Sequence, residues 1–356
     1  MLALRGFNYF ILSEIKSVLS EANYKSTIVD TNNLPSPLDD THLYGNEACN
    51  HRAPFRLRPG LSIYLFTTEA PCGDASMELL IDSKAPEDAI PWSIDSLRTT
   101  SNTTMLGRGH FSELGLVRRK PARADAEPSL SKSCTDKIAV KQFTGVLSFP
   151  ASLLIDRSPE TFLDAIVIYP DKYDEIGFVR AFGAGGRLGK VTSSTGRFFD
   201  IWTLPEDAKR FAYEKKLPPN TTKPGRAKAS NLSAVWIRGC GASSLPVQEV
   251  LLNGVKQGFK QFESRPGKES VLCRKRMWTL ATQVANLMCA SDYFNQLQGV
   301  GTMRIYGNRL LKQLEGNTYG TAKLAGTGEH RHGTKDNIVA QIGGWIRNTG
   351  DDGWSL

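Results

Sequence analysis

The chain has 356 residues, 40% of them hydrophobic, enough to bury a large core, and this excludes a disordered polypeptide. Its 44 lysines and arginines outnumber 36 acids, and the formal charge of +8 favours an anionic partner such as nucleic acid or a phosphorylated ligand. No uncharged run is long enough to span a bilayer, and six scattered cysteines without a CxxC pair predict an intracellular chain rather than a disulfide framework.

Residues 2–19 place Phe7, Phe10, Ile11, Ile15 and Val18 on one face of an amphipathic helix. No cap or strand precedes it, so the chain reads as cut at its front. Residues 30–60, rich in Pro, Asn and charge, read as a loop insertion holding His42, Cys49 and His51. Residues 61–66 alternate as a strand and run into Pro71-Cys72-Gly73-Asp74, after which a helix begins over 75–80. A strand, a turn with a reactive residue and a helix set that residue at the carboxyl edge of an open sheet. A basic run at 116–123 leads to a second turn, Ser133-Cys134-Thr135-Asp136-Lys137, and a helix over 136–149. The stretch 151–156 continues apolar, and 160–168 reads as a helix or as a helix turning into a strand. Residues 203–232 form a second predicted loop insertion, with Lys223, Arg226 and Lys228. Strands follow at 234–237 and 247–253, then a long helix at 273–289 and a helix around 310–314. A Gly- and His-rich loop is expected next, ending near Gly343-Gly344-Trp345, and no linker or repeat divides the chain.

The two cysteine turns carry the chemistry. Each opens a predicted helix with small polar residues, where a thiolate is most easily stabilised. Taken without their neighbours, two separate buried thiols are the ordinary reading. Hydrolytic deamination needs an activated water and a carboxyl group to carry its proton to the leaving amine. Zinc on three protein ligands, with its fourth position open, supplies the first.

Three stretches carry a resemblance that covers essentially the whole chain. Ala70-Pro71-Cys72-Gly73-Asp74-Ala75, the run Arg118 to Asp125, and Ser133-Cys134-Thr135-Asp136-Lys137 are similar to motifs of the adenosine deaminases acting on RNA and the tRNA-specific adenosine deaminases close to them. Those families also separate the two cysteines widely. Val179-Arg180-Ala181-Phe182, residues 231–236 and Gly343-Gly344-Trp345 extend the match, and the long loops look more like the fungal tRNA-type enzymes.

The resemblance implies an α/β fold, a cytidine-deaminase-like mixed sheet covered by helices in a single large editase domain over 1–356, truncated at its N-terminus. It implies zinc held by Cys72 and Cys134, and conversion of adenosine to inosine at position 37 of alanine tRNA. The family's first motif, H-A-E-[IV]-L-A-x-R, supplies a histidine ligand and a proton-shuttling glutamate. Met1 aligns with the residue just after that glutamate, so no catalytic glutamate is present in this chain. His110, His330 and His332 read as loop residues rather than replacement ligands. Two explanations stay open: a longer, active native protein, or an inactive homologue that keeps the fold and an RNA surface. An editor of double-stranded or messenger RNA is a further alternative.

The family also buries inositol hexakisphosphate, which by resemblance would be held here by Arg5, Lys137, Tyr319, Lys323 and Trp345. Val140 departs from a frequent family arginine, and Lys312 is one position out of the usual spacing. Arg118, Arg119, Arg123 and Lys228 are the expected tRNA contacts, through phosphate neutralisation. Neither DNA nor a membrane is expected as a partner, and nucleus or cytoplasm is the expected compartment.

Overall fold

The computed structural model describes residues 1–32, 53–82, 113–120, 130–192, 196–205, 207–208, 232–241, 244–252, 255–259, 267–290, 302–348, 352–353 and 355. Cys49, His42, His51, His110, Arg123, Lys228 and most of both expected loop insertions lie outside them.

Helix α1 (Leu2–Ser20) forms where the apolar stripe predicts it, with Leu4, Ile11, Leu12 and Ile15 buried. Two polar residues on that buried face are satisfied. The Asn8 amide donates to the carbonyls of Leu4 at 2.7 Å and Val146 at 3.1 Å, and its oxygen accepts from Ser148 N–H at 2.7 Å. Glu14 accepts from the Tyr24 hydroxyl at 2.8 Å and from Ser26 Oγ.

The expected insertion at 30–60 has an ordered base. Strands β1 (Val29–Thr31) and β2 (Phe55–Leu57) pair antiparallel across it, because Val29, Phe55 and Leu57 bury completely or nearly so while their neighbours face out. The central sheet is parallel, with β4 (Ala165–Ile168) between β3 (Tyr64–Thr67) and β5 (Asp200–Thr203). Ile166 and Ile168 enter the core with Phe143, Phe178 and Phe182. On the other face Tyr64 and Trp202 stack at 4.9 Å, exposed. A separate antiparallel sheet joins β6 (Leu232–Ile237), β7 (Val247–Leu252) and β8 (Val255–Lys256). The described strands thus form three small ladders within the α/β fold that the resemblance implies.

Helix α2 (Met77–Asp82) continues a short 3-10 turn at Asp74–Ser76. Helix α3 (Cys134–Thr144) starts earlier and stops sooner than expected. It starts at Cys134 because Ser133 caps it, accepting from Asp136 N–H at 3.1 Å. It stops because Gly145 turns to φ 71°, where a β-carbon would lie 2.9 Å from the Thr161 carbonyl. Helix α4 (Ala151–Leu154) follows, and at 160–168 a 3-10 turn (Pro159–Thr161) passes into β4, the helix-to-strand alternative. Helix α5 (Glu175–Phe182) then packs on the turn at 74–76.

Helices α6 (Arg274–Ala290) and α7 (Thr302–Leu314) pack together, and α6 also lies against α1. The Gly- and His-rich stretch is not a loop. It belongs to α8 (Tyr319–Ile342), capped by reciprocal Thr318 and Thr321 bonds and closed by Gly343 at φ 76°. Four internal glycines weaken such a helix, but buried Tyr319, Ala322 and Ile338 anchor both of its ends to the core. His330 and His332 lie along it.

Trp278 on α6 is fully buried, donates from Nε1 to the Leu314 carbonyl at 2.9 Å, and meets Tyr319 edge-on. Trp278→Ala is expected to cost about 3–5 kcal/mol, read as a lower urea midpoint at unchanged slope.

Candidate metal centre

The parallel sheet carries the chain out of β3 into the first cysteine turn, and α3 presents the second. The two turns are locked backbone to backbone. Thr135 N–H donates to the Cys72 carbonyl at 3.1 Å, and Thr135 Oγ1 donates to the Pro71 carbonyl at 3.0 Å. The approach is so close that nothing larger than glycine fits between them. Gly73 sits at φ 114°, and a β-carbon there would fall 2.6 Å from the Ser133 β-carbon.

That contact brings together the two sulfurs predicted from the sequence. Cys134 N–H points at Cys72 Sγ at 3.4 Å, and the two half-buried side chains hydrogen-bond to each other. The bond splits their acidities. Cys72 is pushed up, first by its hydrogen bond to Cys134 and then by burial, and stays a thiol. Cys134 is pulled down by the same bond, and by the positive charges of the amino terminus, Lys137 and Lys120 against its burial. The start of α1 therefore lies within electrostatic reach of Cys134. Among the described residues no group of three or more His, Cys, Asp or Glu side chains could hold a metal ion.

Of the other expected site residues, Lys137 stands three residues beyond Cys134 on the same face of α3 and lies within electrostatic reach of both thiols. Lys137 bonds Ser131 Oγ at 2.5 Å, and burial lowers it to about 8, with exposed Arg5 adding repulsion. Trp345 is flanked by Lys132 at 5.8 Å and Lys335 at 6.0 Å. Tyr319 is buried under Arg274 at 5.8 Å. Burial lowers Lys141 to about 7 and Lys323 to about 8, and Lys335 repels both. Lys335 itself is lowered by burial and by Arg274 and Arg347, with Asp336 opposing. Lys132, Lys335, Arg274 and Arg347 were not among the residues expected from the sequence, and Lys141 entered only as a possible substitute for the family arginine at Val140. Their spacing along the chain carries no signal, because α3, α6 and α8 bring them together only in the fold.

One expected RNA contact is overturned. Arg118 is 0% exposed, inside the protein beside the cysteine turns. Its neighbour Arg119 is half-buried and bridges antiparallel to Lys132, and among the described residues of that run Lys120 is the exposed cation. The reason is the second turn: Arg118 N–H donates to Asp136 at 2.9 Å and its carbonyl accepts from Ser133 N–H at 2.9 Å, which draws the residue under that turn.

The sequence matches the model of the adenosine-deaminase (editase) domain over residues 1–327. The chain belongs to that family. It is similar to the tRNA-specific adenosine deaminase 1 of Schizosaccharomyces pombe, 30% identical over 264 residues that cover 73% of this chain and 64% of the relative. It is also similar to the tRNA-specific adenosine deaminase 1 of Saccharomyces cerevisiae, 28% identical over 291 residues, 80% of this chain and 63% of the relative. The chain therefore spans somewhat under two thirds of each of these relatives. Among the described residues no helix is long and apolar enough to cross a membrane.

Because Gly73 has no room for a side chain, Gly73→Ala is expected to lose about 1–3 kcal/mol of stability. A thermal melt of the metal-free variant at wild-type midpoint would contradict the close contact of the turns.

Proposed function

We propose that this chain is the editase domain of a zinc-dependent deaminase that converts adenosine to inosine in tRNA. The observation that carries the reading is the meeting of Cys72 and Cys134, far apart in sequence, with the Cys134 N–H 3.4 Å from Cys72 Sγ. Two sulfurs so placed fit two positions of a zinc site, whose preference for thiolate donors is strong. By resemblance the family's zinc site also takes a histidine ligand and a proton-carrying glutamate, and the start of α1 lies within electrostatic reach of Cys134. When bound, zinc supplies an activated water near neutral pH for replacing the adenosine amine by oxygen, with ammonia released. The residues of this chain hold the metal, through Cys72 and Cys134, and keep the thiolate form of Cys134 favoured with Lys137 and Lys120. The relatives are named as tRNA-specific, and the basic runs support an RNA polyanion as substrate through Arg119, Lys120, Arg123 and Lys228. Adenosine 37 of alanine tRNA remains the proposed target, in the nucleus or cytoplasm.

The cations around Trp345 support the second proposed ligand, inositol hexakisphosphate. Lys141, Lys323 and Lys335 are all driven toward neutrality by burial and mutual repulsion, which a multivalent anion would relieve. Arg5, Lys137, Tyr319 and Trp345 complete the proposed set.

The reading is tested by zinc content and inosine formation on tRNA, for this chain and for the same chain with a His-Ala-Glu lead-in added ahead of Met1. The extended form is expected to hold about one zinc and to form inosine, and Cys72→Ser or Cys134→Ser is expected to abolish both. Neither metal nor inosine in either form would favour the inactive RNA-binding homologue. Replacing Lys120, Arg123 and Lys228 together should flatten the salt dependence of tRNA binding by roughly one unit of slope for each phosphate no longer neutralised.

The lysines give a pH test. Their folded pKa values lie below the unfolded value, so the unfolded chain binds more protons in between and stability rises with pH from about 7 to about 10. Below that interval the charged ammonium groups repel. The gain in Tm from added inositol hexakisphosphate should therefore be largest at pH 6–7, roughly, and shrink toward about 10. A gain independent of pH would rule out these lysines as its site.

A further inference from the structure

Two residues beyond each cysteine stands an aspartate, and both are buried: Asp74 is 0% and Asp136 1% exposed. Each is paired with an arginine from another part of the fold. Arg180 on α5 reaches Asp74 from Nε at 3.1 Å and its carbonyl from Nη2 at 3.0 Å, and it also holds Glu78 through a pair of bonds. Arg187 donates from Nη1 to Asp136 at 2.7 Å and to the Leu116 carbonyl at 3.3 Å. The segment 113–118 runs across both aspartates. Gly115 N–H donates to Asp74 at 2.8 Å, and Arg118 N–H donates to Asp136 at 2.9 Å.

Arg118 closes the frame. Its guanidinium donates from Nη2 to the Glu113 carbonyl and is attracted by both Asp74 and Asp136, while Arg180 and Arg187 repel it. Three guanidinium groups thus face three carboxylates, Asp74, Glu78 and Asp136, in a water-poor space. Such a lattice is rigid because moving any member leaves a buried charge uncompensated.

We propose that Arg118 is a positioning residue: with the Asp74–Arg180 and Asp136–Arg187 pairs it ties the two cysteine turns to each other and keeps both sulfurs within shared coordination range before any metal arrives. This deepens the deaminase reading, on which the ligand role of the sulfurs rests, but the frame itself is a property of the metal-free chain. Without Arg118, the buried Asp74 and Asp136 lose one of the cations that attract them.

The test measures the distance between the sulfurs by chemistry. Metal-free full-length chain is treated with diamide, which takes two electrons and two protons from the Cys72 and Cys134 thiols to give the disulfide and the reduced hydrazine. Closure is followed by the 2 Da mass loss of the linked peptides. Arg118→Met is expected to close about tenfold more slowly, and to bind Co²⁺ about tenfold more weakly by its sulfur-to-cobalt charge-transfer band. Arg118→Lys, which keeps the charge without the fork, should fall between Arg118→Met and the wild type in both readouts. Should Arg118→Met not fold, Arg180→Lys and Arg118→Lys carry the comparison. Variants that fold with a lower melting temperature but close and bind cobalt at wild-type rates would show a merely structural role and overturn the proposal. A chain carrying the His-Ala-Glu lead-in that forms no inosine would sink the deaminase reading while leaving the closure rates to decide the frame.

Discussion

Where the loop after β3 meets the start of α3, the two backbones touch. Thr135 bonds the carbonyls of both Pro71 and Cys72, and Gly73 fills the gap with a hydrogen atom. Each such bond is worth only about 1 kcal/mol net, but the contact fixes the relative position of two elements separated by a long intervening segment. The shared hydrogen bond of Cys72 and Cys134, their opposite acidity shifts and the fit to a soft metal all follow from it. So does the identity of the residue after Cys72, since a side chain there would force the turns apart.

The positive charge of the chain is divided between two solutions to the same problem. Near the thiols, Arg118, Arg180 and Arg187 are buried against Asp74, Glu78 and Asp136, so charge is settled within the protein. Around Trp345 the cations of α3, α6 and α8 crowd together with fewer carboxylates, Asp336 and Asp352 among them, and their lysines shift toward the neutral form. The first arrangement makes a rigid frame. The second leaves ammonium groups whose charged form burial disfavours. Lys137 on α3 links the two, placed to feel both Cys134 and Arg5.

The elements that matched their sequence patterns are those whose own periodicity decides them. Helix α1 has a clear apolar stripe, and α6 and the strands β6 and β7 have regular spacing with turn residues at their ends. The misreading of α8 has the opposite cause. Its middle is rich in glycine and histidine, and the stripe that holds it is confined to residues near its two ends. Helix α3 ended sooner than its apolar run because Gly145 has to pass the Thr161 carbonyl, a contact made by a distant part of the chain.

The sequence by itself determined the family, the two cysteine turns and the glycine between them, because those motifs are short and their chemistry is local. It also showed a basic chain, without saying which cations face water. Only the tertiary structure decided that Arg118 points inward, since the carboxylates that hold it come from turns on both sides of it in the chain. The same holds for Lys141, Lys335 and Arg274, which meet around Trp345 only after three helices pack. Burial and charge pairing are properties of position in space, and single-residue identity does not carry them.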